Sequence, residues 1–310
     1  GELIFSEISK ILLVNNLSTS PAALLSVMLI LAGIGFKISV VPFHSWAPDT
    51  YEGSPLPVTA YLSVSSKATG FVALMIILTK VFPDSGSSWG IVLVFISGLT
   101  MFIGNLSALQ QSNPVRLLAY SSIAQAGFIL APLAVAGISG DYADGIYASV
   151  TYLIIYAFMN LGAFLVVNVL INTSGSNDIY EWGGLAKHQP LTAIFTTVFF
   201  FSLAGIPPLG GWFAKFVVFR SLLSTGEVYG ITLAIIGAIN AVIGLVFYAR
   251  ISKIIWMDSP SENITINTKP VLLSPLKVVG FISLVITFLA GIFPNIFSNL
   301  GNASALFFNS

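Results

Sequence analysis

Residues 36–46 read Phe-Lys-Ile-Ser-Val-Val-Pro-Phe-His-Ser-Trp, so a lysine, a proline and a histidine follow one another at the end of a long apolar segment. Because proline removes a backbone donor and clashes with the preceding turn, we predict a broken helix at Pro42. A second segment repeats the pattern: residues 205–211 read Gly-Ile-Pro-Pro-Leu-Gly-Gly, and Lys215 follows them. Paired interruptions of this kind are typical of inverted-repeat transporters.

The composition is that of a membrane protein. Of 310 residues, 56% are hydrophobic and 8% are charged, against roughly 25% charged in an average soluble domain. The formal net charge is zero, which argues against nucleic acid as a partner. The absence of cysteine excludes disulfides, iron–sulfur clusters and thiol catalysis within this chain. Because the chain opens with Gly1 and not Met, we expect a fragment of a longer protein.

The hydropathy pattern predicts an all-α, polytopic membrane helix bundle. A spanning helix needs about 20 mainly apolar residues. Eight segments meet that length, and turn-forming residues separate several of them. We place the spans at 21–43, 55–80, 89–110, 115–138, 146–171, 190–220, 229–256 and 272–296. Residues 1–20 form a connecting segment in this interpretation.

Three lysines fall inside apolar spans: Lys37, Lys67 and Lys215. A charged side chain at the bilayer centre costs about 2.5–3.5 kcal/mol on insertion scales, so such residues usually face the bundle interior and serve a function. Lys37 lies near a span end, where the alternative is snorkelling to the interface. For Lys67, in mid-span, the alternative is a structural hydrogen bond. Lys215 follows the second break among aromatic residues, which favours a partly buried functional amine.

Lysine suits a proton relay because burial favours its neutral form and a nearby carboxylate favours its charged form. Acidic partners are scarce within the spans. The carboxylates fall in loops or at helix ends, where a solvated rim is the simplest interpretation: Asp49, Glu52, Asp141, Asp144, Asp178, Glu181 and Asp258. A lysine relay in this chain therefore implies an acidic partner upstream or on another subunit.

His44 is a further candidate, since histidine titrates near neutral pH. A hydrogen-bonded interfacial histidine is an equal alternative. The only other histidine, His188, reads as a loop residue. Because the two lack ligand-spaced companions, we predict no metal site. No phosphate-binding glycine loop or serine nucleophile elbow occurs, and we predict no cofactor in this chain.

Four stretches make the chain resemble the N-type, antiporter-like subunit of NADH:quinone oxidoreductase, respiratory complex I, which is subunit 2 in mitochondria and chloroplasts. The longest is residues 36–58, which include Tyr-Glu-Gly-Ser-Pro. The others are 61–68, 116–128 and 202–215. They are spread over most of the chain, from residue 36 to residue 215. The Tyr-Glu-Gly-Ser-Pro run, with a lysine at 215 where the M-type paralogue carries glutamate, favours the N type.

The resemblance implies a fourteen-helix subunit with two inverted five-helix repeats, of which this chain would hold helices seven to fourteen. Residues 21–80 would be the last two helices of the first repeat, 89–256 the second repeat, and 272–310 a C-terminal helix and tail. Lys37, Lys67 and Lys215 match the family's lysines on helices seven, eight and twelve. The glutamate that pairs with Lys37 would lie before residue 1. Gln125 stands where many relatives have histidine, so we do not expect a histidine relay on that helix: glutamine can hydrogen-bond but does not titrate.

The resemblance implies a proton-translocating subunit that couples remote NADH-to-quinone electron transfer to pumping through a buried lysine relay. The expected partners are other membrane-arm subunits, the lipid bilayer and protons, with NADH and quinone handled by other subunits. We expect an integral membrane location in a bacterial cell membrane, with mitochondrial inner and thylakoid membranes as alternatives. A subunit of a multisubunit sodium/proton antiporter is the alternative function. A passive spacer is disfavoured, because it has no reason to bear three amines in hydrocarbon.

Overall fold

The computed structural model describes residues 4–259 and 274–309, and side chains within 4–259 and 278–308. No strand occurs within these ranges. The helices that they contain, in chain order, are α1 (Phe5–Val14), α2 (Pro21–Ile38), α3 (Trp46–Gly53), α4 (Leu56–Tyr61), α5 (Lys67–Lys80), α6 (Gly86–Leu109), α7 (Pro114–Ser139), α8 (Tyr142–Ser174), α9 (Leu185–His188), α10 (Pro190–Ala204), α11 (Gly210–Ser224), α12 (Val228–Met257), α13 (Ser274–Ile292) and α14 (Asn295–Asn309). A π-helical turn, Leu62–Ser66, joins α4 to α5. Short 3-10 turns lie at Pro83–Ser85 and Ile179–Trp182.

Six helical segments of the described chain are long and apolar enough to cross a bilayer: Pro21–Ile38, Leu56–Lys80, Pro83–Leu109, Pro114–Ser139, Tyr142–Ser174 and Val228–Met257. The bent pair α13 and α14, which turns by 87°, makes a seventh. The predicted span at 190–220 is two shorter helices, α10 and α11, of 15 residues each. The predicted all-α membrane bundle with two broken helices is therefore confirmed, although the span predicted at 272–296 begins at two residues outside the described ranges.

Local sequence explains where the long helices begin and end. Ser20 precedes Pro21 and accepts a hydrogen bond from the Ala23 amide at 3.3 Å. Asn113 precedes Pro114, and its side chain accepts hydrogen bonds from the backbone amides of Val115 and Arg116 at 2.8 and 3.2 Å. Such caps satisfy backbone donors that the first helical turn leaves free, and proline is well placed directly after them.

Helix α7 is the centre of the bundle and is buried along almost its whole length. It packs against α6 on one side and α8 on the other. Small residues allow the close approach: a methyl group built at Gly104 of α6 would lie 2.5 Å from the Ala124 amide nitrogen of α7. Helix packing in lipid depends on such close contacts, because lipid tails are as apolar as the side chains. Polar side chains on α7 are thereby held away from lipid.

Candidate functional site

Both predicted breaks exist, and each separates two helices at a proline. The first lies between α2, which ends at Ile38, and α3, which begins at Trp46; Ser39 takes a left-handed conformation with φ +59°. The second lies between α10 and α11, where Gly205 has φ +94°. A residue with such a φ is normally glycine. The backbone groups freed at the breaks decide which side chains approach them.

Lys215 binds the second break directly. It lies in α11 and only 6% of its surface is exposed. Its Nζ donates to the Leu203 carbonyl at 3.1 Å and to the Ala204 carbonyl at 2.7 Å, at the end of α10. These are two of the carbonyls that the last turn of a helix leaves without an internal partner, and a helix C-terminus favours a cation. The amine also lies 5.2 Å from the centre of the Phe128 ring.

Gly205 makes room for this lysine. A methyl group built at Gly205 would lie 2.8 Å from the Lys215 Cδ. Real side chains essentially never approach so closely, so a larger residue would displace the lysine stem. The glycine is needed twice, for its positive φ and for the space beside the lysine.

Lys67 is the second buried amine, with 1% of its surface exposed. It begins α5 directly after the π-helical turn. Its Nζ donates to the Ser122 hydroxyl at 2.8 Å and to the Ser122 carbonyl at 3.1 Å, both on α7. No carboxylate of the described chain forms a salt bridge with it. π-helical turns are frequent at functional sites, and this one shapes the segment that carries the lysine.

Buried polar side chains of α8 contact the π-helical turn. The Asn160 amide donates to the Ser63 hydroxyl at 2.9 Å, and the Tyr156 hydroxyl donates to the Ser63 carbonyl at 3.4 Å. Ser63 and Asn160 are fully buried. Because buried polar groups in hydrocarbon need partners, these contacts link α8 to the turn that precedes Lys67.

Lys37 and His44 lie at the first break and form no ion pair within the described chain. Lys37 is exposed in the last turn of α2, and its stem runs beside Gly70 of α5. His44 is half-buried in the turn between α2 and α3. No ion pair of the described residues includes either side chain. The structure thus brings Lys67 and Lys215 into the polar interior, while the roles of Lys37 and His44 stay predictions.

Polar contacts that the sequence analysis did not predict lie between the two buried lysines. Gln125 of α7 donates to the Leu203 carbonyl at 3.2 Å, the same oxygen that Lys215 contacts, and to the Tyr248 hydroxyl of α12 at 3.3 Å. The Tyr248 hydroxyl lies 2.6 Å from the Ser121 hydroxyl. The adjacent serine pair in an apolar span was a signal for part of this network. Nothing in the sequence distinguishes Tyr248 from other span tyrosines.

Three carboxylates at helix ends are paired with arginines instead of simply solvated. Arg116 at the start of α7 lies 2.7 Å from both Asp49 and Glu52. At the opposite end of α7, Arg220 of α11 lies 2.6 Å from Asp144. For these three carboxylates the expectation of a purely solvated rim is too simple.

Comparison with known proteins assigns the chain to a family. The sequence profile described as NADH:quinone oxidoreductase/Mrp antiporter, transmembrane, matches residues 1–244. NADH-quinone oxidoreductase subunit N of Moorella thermoacetica is 39% identical over 309 residues, which is 99% of this chain and 62% of that protein. The chain thus spans less than two thirds of the length of this curated relative.

Solved structures of related complexes contain chains with a similar fold. Respiratory complex I from Thermus thermophilus with bound aureothin contains a chain that is 26% identical, with a TM-score of 0.73 over 90% of this chain and 59% of that one. The Mrp complex from Dietzia sp. DQ12-45-1b contains one with a TM-score of 0.82 over 98% of this chain and 62% of that one. At 23% identity, this second likeness shows the fold alone. The protein is an integral membrane protein and belongs to the NADH:quinone oxidoreductase/Mrp antiporter transmembrane family.

Proposed function

We propose that the chain is part of a proton-translocating subunit of NADH:quinone oxidoreductase, which couples remote electron transfer from NADH to quinone to proton pumping. The observation that carries this proposal is the pair of buried amines, Lys67 and Lys215, each hydrogen-bonded to neutral oxygen atoms. Burying an amine in a membrane is costly unless it serves a function. Identity of 39% to a subunit N supports the choice of complex.

In this proposal Lys37, Lys67 and Lys215 exchange protons in turn, and His44 serves the entry to the first break. Each buried ammonium is stabilised by carbonyl or hydroxyl oxygens, so it can lose its proton without leaving an unpaired carboxylate. Protonation of one amine disfavours protonation of a neighbour, because like charges repel. Electrons, NADH and quinone belong to other subunits, and the membrane partners are the other subunits of the membrane arm in a bacterial cell membrane.

The two breaks support a division into repeats. Residues 21–80 would complete a first inverted repeat with the break at Pro42, and 89–256 would form the second with the break at Pro207 and Pro208. Residues 272–310 would close the subunit. Discontinuous helices at matched positions of two repeats are the usual setting of transporter ion sites.

The fold likeness to the Mrp complex favours one alternative, a subunit of a multisubunit sodium/proton antiporter. The two functions differ in what drives the ion. A subunit of the oxidoreductase pumps protons only while electrons flow to quinone. An antiporter subunit exchanges sodium for protons without any electron donor.

The test uses the complete complex in sealed membrane vesicles. NADH oxidation should acidify the vesicle lumen in the parent, and Lys67→Ala should assemble normally and reduce that acidification sharply. Lys253→Ala is the matched control, since Lys253 is an exposed lysine of α12 paired with Asp258 at 3.6 Å. Normal pumping by assembled Lys67→Ala would refute the relay. Sodium-driven proton exchange without NADH would favour the antiporter.

A further inference from the structure

Tyr248 lies between the two lysine sites. It is 1% exposed in the middle of the bundle, and its ring packs against Phe200 at 5.8 Å and Phe247 at 4.3 Å between centroids. Its hydroxyl lies 2.6 Å from the Ser121 hydroxyl and 3.3 Å from the Gln125 amide nitrogen. The apolar ring is therefore held by packing, while the hydroxyl alone reaches the polar interior.

Gln125 has every polar position of its amide engaged. Its nitrogen donates to the Leu203 carbonyl and to Tyr248, and its oxygen accepts from the Tyr152 hydroxyl. Because the Leu203 carbonyl can only accept, turning the amide over would place its oxygen against another acceptor. Its nitrogen therefore faces Tyr248, whose hydroxyl accepts from it, and between the Tyr248 and Ser121 hydroxyls either can be the donor.

The other end of this chain of contacts, Ser121, lies one residue along α7 from the serine that binds Lys67. Ser121 and Ser122 are consecutive residues of α7, and Ser122 accepts from the Lys67 amine at 2.8 Å. At the opposite end, Lys215 and Gln125 share the Leu203 carbonyl as acceptor. All the linking groups are neutral and buried, so electrostatic effects between them are screened much less than they would be in water.

We propose that Tyr248 is a further member of this relay, a hydroxyl that couples the Lys215 site to the Lys67 site, with Gln125 as the positioning residue that orients it; the inference rests on the proposed function. A change of charge at Lys215 changes the strength of its hydrogen bond to the shared Leu203 carbonyl, and with it the strength of the bond from the Gln125 amide to the same oxygen. The Tyr248–Ser121 pair then reverses which hydroxyl donates. Each hydroxyl keeps its own proton, so the step moves a dipole and needs no co-reactant.

Tyr248→Phe in the complete complex removes this hydroxyl and keeps the ring. We expect the ratio of protons pumped to electrons transferred to fall about fivefold, on the scale of one hydrogen bond, with assembly and uncoupled NADH oxidation unchanged. Tyr142→Phe is the matched control: it removes a hydroxyl that donates to the Pro83 carbonyl at 2.7 Å, at the end of the bundle. Parental pumping by assembled Tyr248→Phe overturns the inference. Ser121→Ala removes the same contact from the other side and decides the question if Tyr248→Phe does not assemble.

A purely structural role is separated by double variants and by rescue. Tyr248→Phe should cause no further loss in a Lys215→Met background, whereas a packing defect would add to it. Gln125→His keeps one donor and one acceptor and should restore most of the pumping that Gln125→Leu loses. Additive losses, or equal losses for the histidine and leucine variants, contradict the proposal. If Lys215→Met itself pumps normally, the proposed function fails; if only Tyr248→Phe does, the inference alone fails.

Discussion

At both helix breaks the last helical turn leaves backbone carbonyls without helical partners, and different side chains donate to them. At the end of α2, the Phe36 carbonyl accepts from the Trp46 indole at 2.8 Å. At the end of α10, the Leu203 and Ala204 carbonyls accept from the Lys215 amine. An indole is a fixed neutral donor, whereas an ammonium forms charge-assisted hydrogen bonds that weaken when its proton leaves. At the second break the hydrogen bonding of the backbone therefore depends on the protonation of Lys215.

The lysines near the breaks differ in the same way. Lys37 precedes its break and is exposed, and its aliphatic stem lies beside Gly70. Lys215 follows its break and is buried among α7, α10 and α11. The second site is therefore complete within this chain. Lys37 forms no ion pair within the described residues, and the glutamate that the family resemblance predicts before residue 1 stays a prediction.

The largest expected effect is at the second break. Lys215→Met keeps bulk and removes charge, so the complex should assemble and lose coupled pumping by about a hundredfold or more, the lower end of what a positioned proton-transfer group contributes. Lys215→Arg should also fail, because a guanidinium does not release its proton. Pumping is measured in sealed vesicles, with Lys253→Met as an exposed control. If Lys215→Arg pumps like the parent, Lys215 supplies only fixed charge.

The next effect concerns the space beside that lysine. Gly205→Ala should cost about 1–2 kcal/mol for the left-handed backbone and should also push the lysine stem away, lowering pumping several-fold. Gly140→Ala is the matched control, since Gly140 has φ +79° and nothing lies within 4 Å of an added methyl group. Both variants should lower thermal stability, and only the first should lower pumping. Equal pumping losses would show that backbone strain alone is responsible.

Sequence patterns predicted most of the architecture, because long apolar runs and interior prolines act locally. The positions of Lys67 and Lys215 in the interior follow from the same runs. Sequence did not predict the contacts of Gln125 and Tyr248, which depend on how α7, α10 and α12 pack and involve residues more than 70 positions apart. Nor did it predict the π-helical turn before Lys67, since one extra residue in a helical turn leaves no mark in composition.

A smaller effect is expected at the first break. Trp46→Phe keeps an aromatic ring beside Phe36, which it stacks at 5.3 Å between centroids, but leaves the Phe36 carbonyl with one donor fewer. The loss should lower the free energy of unfolding by about 1 kcal/mol and leave pumping near the parental rate, because no proton exchange takes place at an indole. Thermal unfolding of the purified complex measures the first quantity and vesicle acidification the second. Trp256→Phe, which removes an indole contact to Thr197 at 2.9 Å, controls for the loss of a tryptophan. A pumping loss as large as that of Lys215→Met would mean that the two breaks are functionally equivalent.

The smallest effect is expected at the salt bridge that links α3, next to the first break, to α7. Arg116 of α7 contacts Asp49 and Glu52 of α3 through the same nitrogen, across 67 and 64 positions of sequence. Asp49 is 76% and Glu52 42% exposed, and exposed ion pairs contribute about 0–1 kcal/mol. Arg116→Gln should therefore lower stability by less than about 1 kcal/mol at low salt, and the difference from the parent should shrink as salt screens the pair. Lys253→Gln is the control, because its pair with Asp258 lies within one segment and joins no distant elements. Unfolding measured at low and high ionic strength tests the salt dependence, and vesicle acidification tests function. A loss of stability that does not depend on salt, or a loss of pumping near that of Lys215→Met, would contradict this expectation. It would show that the Arg116 salt bridge is needed to position the first break.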